Sequence, residues 1–180
     1  MSHYLVSQVL DQRPAYEEYP SFYHKYVDAL PSGNLFHILE DQLHAFTFML
    51  ERIEKSQWDY RYAEGKWSVK EVLGHIVDAE RVFAFRAATF ARGDKNELPG
   101  FDENGYVEES DLAEVNPESL LLQFSHLRKS NILLYSSFTR EAIARTGISN
   151  GKSASVAAIV FITAGHLQHH MNILKGRYGL

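Results

Sequence analysis

Residues 155–175 read SVAAIVFITAGHLQHHMNILK. Apolar side chains recur three and four residues apart at Val156, Ile159, Val160, Leu167 and Leu174, the spacing of one face of an α-helix. His166 and His170 are four residues apart in the same stretch. At 100° per residue they lie about 40° apart around the axis, within or beside the apolar arc. His169 turns outward beside Gly165. Two imidazoles stacked on one helical face make a two-point metal clamp. If both are buried, each needs a partner for its ring nitrogens, and a shared metal supplies one for both.

Outward from this helix, the same period recurs three more times. The first helix is expected over roughly 34–55, with Leu35, Ile38, Leu39, Leu43, Phe46 and Leu50 on one face. The second opens with the capping-box sequence Ser68-Val69-Lys70-Glu71 and runs to about Arg92, where Gly93 offers a stop. The third opens with Asn116-Pro117, a cap residue followed by proline at the first helical position, and runs to about Phe138. The fourth begins at Ser153 or Ser155 and ends at Lys175, before Gly176. Helices of about 20–25 residues are about 30–37 Å long. Four of them make an all-α four-helix bundle. Residues 1–31, broken by Pro14, Pro20 and Pro31 and rich in tyrosine, are expected to form an N-terminal arm packed on the bundle domain of 32–180, with a short helix near 21–29. The connection 94–115 is long enough to serve a function, and Phe101, Asp102, Asn104 and Tyr106 are candidates to lie over a site. Strand signals are weak.

The second helix carries His75 on the flank of its apolar face, and this residue is the candidate third ligand. Asp78, one turn on, is placed to receive the other N–H of His75 or to orient a water, although a solvated carboxylate fits that position equally. Arg86 lies on the same stripe, eleven residues or about 16 Å along the axis from His75. It is a candidate for an anionic substrate group, with a structural ion pair the stronger alternative. His37 and His44, seven apart in the first helix, are candidates to line the interior but too far apart to share one metal. His3, His24, His126 and His169 read as surface residues or as support around the site.

The totals exclude several classes. The 180 residues suffice for one domain with a real core, and the net charge of −5 without any basic run argues against nucleic acid. Cysteine is absent, which removes disulfides, thiolate ligands and a cysteine nucleophile. No signal-peptide pattern or membrane span is visible, so the chain reads as cytoplasmic. Neither a Gly-x-Ser-x-Gly elbow nor a phosphate-binding glycine loop is present.

Trp67-Ser-Val-Lys-Glu-Val-Leu-Gly-His75-Ile76, followed about ninety residues later by Ala164-Gly-His166-Leu-Gln-His-His170, resembles the DinB/YfiT-like metalloenzyme superfamily. The resemblance spans about residues 33–176, and the Arg13-Pro14 … Glu18-Tyr19 arm is similar to one branch of the group. It implies an up-down-down-up four-helix bundle with a three-histidine metal site at one end. It also implies His75, His166 and His170 as ligands, zinc or nickel as the metal, and in some members a low-molecular-weight thiol as co-substrate.

Three histidines without an evident fourth ligand describe an open site, the catalytic rather than the structural pattern. Such a site is expected to activate water, as in a hydrolase, or to hold a substrate thiol as thiolate, as in an S-transferase. Either way the partner is a small molecule. The contrasting expectation is a non-catalytic bundle that keeps a metal for stability or serves as an interaction module. A homodimer through an exposed bundle face is a further expectation.

Overall fold

The computed structural model describes residues 10–112 and 114–180; His3 and the start of the arm lie outside that range. Among the described residues the regular elements are α1 (His24–Asp28), α2 (Leu35–Leu50), α3 (Val69–Ala91), α4 (Glu103–Glu109), α5 (Pro117–Ser136), α6 (Arg140–Ile143), the strands β1 (Thr146–Ser149) and β2 (Lys152–Ser155), and α7 (Val156–Tyr178). Single 3₁₀ turns lie at Tyr16–Glu18, Ser21–Tyr23 and Lys55–Gln57.

The four long helices start where the cap residues place them. The Asn34 side chain accepts from the amides of Phe36 and His37. Ser68 and Glu71 close a reciprocal capping box on α3, and Asn116 caps α5 ahead of Pro117. Ser155 accepts from the Ala158 amide at the start of α7. These contacts satisfy amides that have no partner within the helix.

The ends of two helices differ from the sequence expectation. α2 stops at Leu50, its last buried apolar residue, rather than near Lys55. The segment after it bends back so that the carbonyls of Tyr60 and Trp58 accept from Val69 and Lys70, completing the cap of α3. α7 continues through Gly176 to Tyr178 and ends on Gly179, which adopts φ 76° and donates its amide to Leu174. Leu174 and Tyr178 are both buried, so packing carries the helix past the first glycine.

α3 packs against α5 and α7, and α2 packs against the same two helices, so the consecutive helices α2 and α3 face each other across the bundle. The core divides into two clusters. One joins Leu50, Val69, Leu121, Phe124 and Leu174; the other joins Leu35, Phe90, Tyr135, Val156 and Ile159.

The all-α expectation needs one correction. β1 and β2 form an antiparallel hairpin, Thr146 opposite Ser155 and Ser149 opposite Lys152. Its turn is Asn150-Gly151, both left-handed at φ 51° and 68°. This dipeptide between short strands is the strongest local hairpin signal, because both residues tolerate positive φ. Leu98 bridges to Ser149, which ties the 94–102 segment to the hairpin.

The described part of the arm is anchored by Leu10, Tyr19, Val27 and Leu30, all buried. α1 lies on α7 at Gly165, where an added Cβ would sit 2.5 Å from the Tyr26 carbonyl oxygen. Glycine is required there because backbone meets backbone. No helix among the described residues is long and apolar enough to cross a membrane.

Candidate metal centre

His75 lies in the second turn of α3, and His166 and His170 lie in the middle of α7, the helix that packs on α3. The three side chains, 5–8% exposed, meet between those two helices. Nε2 of His166 lies 2.9 Å from Nε2 of His75 and 3.1 Å from Nε2 of His170. One nitrogen from each ring falls within 4.8 Å of the others, and among the described residues no fourth histidine or carboxylate joins the group.

Burial, with a smaller effect from His169, holds His75 down to about 4. Burial first, then the neighbouring imidazoles, hold His166 and His170 well below the ordinary histidine value. All three are neutral at pH 7, the form that ligates metal. A neutral imidazole offers one N–H and one lone pair. Nε2 of His166, with two such neighbours, can make a well-formed hydrogen bond to only one of them. A cation that takes all three lone pairs satisfies the cluster at once, so the donor set fits a divalent metal.

The surroundings fix the rings. His75 lies against Trp67, with centroids 4.8 Å apart, and parallel to Phe101 at 6.3 Å. Its Nδ1 is buried without a hydrogen-bond partner among the described residues. His166 meets the edges of Phe83 and Tyr26. Half-buried His169 packs on Tyr26 at 4.7 Å.

The three histidines open into a cavity of about 400 Å³. Its walls come from separate parts of the chain: Tyr23 and Tyr26 of the arm, Phe83 and Arg86 of α3, Phe101 of the long connection, and Ile162 of α7. Glu103, Asn150 and Lys152, all exposed, also line it, so both the connection and the hairpin reach the site. Of the connection residues picked from the sequence, Phe101 lines the cavity and Asp102 caps α4 by accepting from the Gly105 amide.

The other candidates separate. Arg86 is 8% exposed and lines the cavity, donating to the Pro99 carbonyl at 3.1 Å. Asp78 is not among the lining residues; its carboxylate pairs with Arg81 at 2.9 Å, and Arg81 also reaches Gln123 of α5. One helical turn on from His75, Asp78 is held by Arg81, which reaches α5 rather than the cavity. His37 and His44 are exposed, and the polar residue of α2 that enters the interior is Gln42. His24 is partly buried against Tyr16, and His126 is exposed.

The sequence reading missed a buried polar network beneath the site. Arg128, fully buried, donates to both carboxylate oxygens of Glu80 at 2.8 and 2.9 Å and to Gln42 at 3.2 Å. Asn131 donates to Glu80, and Gln42 donates to the Ala164 carbonyl and to Gln168. The network therefore spans all four long helices. A signal existed: Leu121, Phe124, Arg128, Asn131 and Tyr135 share one helical stripe, and Glu80 shares another with Ile76 and Phe83.

Comparisons with known proteins agree with this fold. Among solved structures, YfiT from Bacillus subtilis, described as a probable metal-dependent hydrolase with an unusual four-helix bundle topology, superposes with a TM-score of 0.69. It is 18% identical, and the match covers 97% of this chain and 98% of that one. The comparison with curated proteins finds no match. The DinB superfamily model matches residues 38–174, a span that contains all three histidines, and the chain belongs to that superfamily.

Proposed function

We propose that the chain is a metal-dependent enzyme acting on a small molecule, with His75, His166 and His170 as the ligands of one divalent ion, zinc or nickel. One observation carries this reading: three neutral imidazoles converge through Nε2 and open into a cavity rather than into packed core. The bundle reads as up-down-down-up. The division of the core supports that order, since the end of α2, the starts of α3 and α5 and the end of α7 share one cluster.

When bound, the ion supplies Lewis-acid polarisation and acidifies a water or thiol that takes its open position. The protein contributes the rest. Trp67 and Phe101 pack against the His75 ring. Phe83, Tyr26 and Ile162 exclude water from one side of the cavity. Arg86 is the charge available to an anionic part of the substrate.

Hydrolysis is the first reading, in line with the description of YfiT. Thiol transfer to or from a low-molecular-weight thiol is the second. It is favoured by the complete absence of cysteine, which leaves an external thiol with no protein thiolate to compete with. A non-catalytic, metal-stabilised bundle accounts for the histidines but not for the cavity.

The test is metal content by plasma mass spectrometry on untagged wild type, His170→Ala and Asp78→Ala. About one zinc or nickel per chain is expected in wild type and Asp78→Ala, with loss in His170→Ala. Absence of metal from wild type, with none taken up on addition, refutes the reading. Given metal, a cobalt-substituted sample titrated with biological thiols separates the two chemistries. A thiolate-to-cobalt charge-transfer band marks the transferase, and unchanged spectra mark the hydrolase.

A further inference from the structure

Arg86 poses a problem that the metal centre does not solve. Its guanidinium carries five donors and a permanent charge, and the residue is 8% exposed. A cation so far from water is costly unless an anion meets it. Arg128 shows how this fold treats the same group elsewhere, with both Glu80 oxygens and Gln42 arranged around it. Arg86 has no such arrangement: none of the ion pairs among the described residues includes it, and its polar partners, the Pro99 carbonyl and the Tyr23 phenol, are both uncharged. Beside it lies the phenol of Tyr23, brought in by the arm; burial raises the pKa of that phenol and the nearby guanidinium partly offsets the rise.

The helix walls between Arg86 and the histidines are apolar. Ala79 and Phe83 follow His75 along α3, and Ile162 faces them from α7. His75 and Arg86 are eleven residues or about 16 Å apart along the helix, and because long helical side chains lean back toward the helix N-terminus, the gap to be spanned is on the order of 10 Å. The remaining charges, Glu103 and Lys152, are exposed and of opposite sign.

We propose that Arg86 and Tyr23 form a carboxylate subsite, and that the molecule presented to the histidines is a small monocarboxylate with an apolar body spanning that gap. Only the metal end rests on the function proposed above. One buried cation balances one negative charge, and the planar guanidinium fork matches two carboxylate oxygens, with the phenol of Tyr23 as a neutral donor. A phosphate monoester would bring a second charge with no second buried cation to meet it.

The test is calorimetric titration of the full-length protein as purified with 4-phenylbutyrate, the uncharged 4-phenylbutan-1-ol and phenyl phosphate. The carboxylate is expected to bind about tenfold or more tightly than the alcohol, and Arg86→Met to abolish that preference. Tyr23→Phe is expected to weaken the carboxylate severalfold. Arg86→Met should melt at or above the wild-type temperature, since it removes an unpaired buried charge; a structural role for Arg86 predicts a lower melting temperature with the preference intact. Arg86→Lys keeps the charge without the fork, retains part of the preference, and serves if the methionine variant does not fold.

The proposal is overturned if wild type does not bind the carboxylate, if the preference survives in Arg86→Met, or if phenyl phosphate binds more tightly. Repeating the titration on His170→Ala separates the two readings. Loss of the metal leaves the carboxylate preference in place, and failure of the subsite leaves the metal content of Arg86→Met unchanged.

Discussion

Removing either partner of the Glu80–Arg128 pair tests the buried network directly, and the two removals are expected to differ in pH dependence. Arg128 is 0% and Glu80 3% exposed, so neither charge can turn to water when the other is lost. Arg128→Met leaves the Glu80 carboxylate with Asn131 as its remaining donor. Breaking a buried pair in this way costs about 3–5 kcal/mol. At about 2–4 °C per kcal/mol for a chain of this size, melting should fall by roughly 6–20 °C. The orphaned carboxylate can escape by taking a proton. The protonated carboxyl carries no buried charge, so the deficit shrinks as pH falls toward 5. Glu80→Gln strands the guanidinium instead. Arginine cannot release its proton, so this variant should lose a similar amount with little change from pH 8 to 5. The double variant Glu80→Leu/Arg128→Met should recover most of the loss, because an apolar pair of similar volume removes both desolvation penalties. Urea unfolding at pH 8, 7, 6 and 5 reads all four proteins. If both single variants stay within about 1 kcal/mol of wild type, the pair is not dry and the reasoning fails; equal pH slopes for the two would refute the proton-uptake account.

Three further outcomes are expected. After chelation of metal, stability should fall as pH drops from about 6.5 toward about 4, because the unfolded chain takes up protons that folded His75, held near 4, refuses. That residue alone accounts for about 3 kcal/mol over the window, His166 and His170 act in the same direction, and urea midpoints that stay flat between pH 7 and 5 would refute the burial of the cluster. Gly165→Ala should lift α1 from α7, since its Cβ would meet the Tyr26 carbonyl at 2.5 Å, and cost about 1–3 kcal/mol. Gly176→Ala, with nothing within 4 Å and helix on both sides, should instead stabilise by about 0.5–1 kcal/mol; hydrogen exchange at residues 23–28 should rise in the first variant alone.

The sequence by itself determined what depends on local periodicity and on chemistry along one helix. The four long helices, their cap residues and the shared face of His166 and His170 follow from spacing of three, four and seven residues, because neighbours on a helix surface are set by its pitch alone. The pairing of His75 with those two was legible through the family motif, and the structure adds the Nε2 contacts that make the three one group. Local reasoning also carried the hairpin signal at Asn150-Gly151, which the reading passed over. Other features depended on which helix lies beside which. Asp78 and His75 are one turn apart, yet the first pairs with Arg81 of its own helix and the second meets His166 of α7, and no wheel assigns such partners. Arg128 looks like half of a surface Arg-Lys pair until Glu80, 48 residues away, is placed opposite it. The cavity is the clearest case. Its walls come from the arm, α3, the long connection, the hairpin and α7, and only burial of the shared core brings segments so distant in the chain around three histidines. Helix periodicity is a short-range property of the backbone, whereas a site is closed by side chains whose proximity is set by long-range packing.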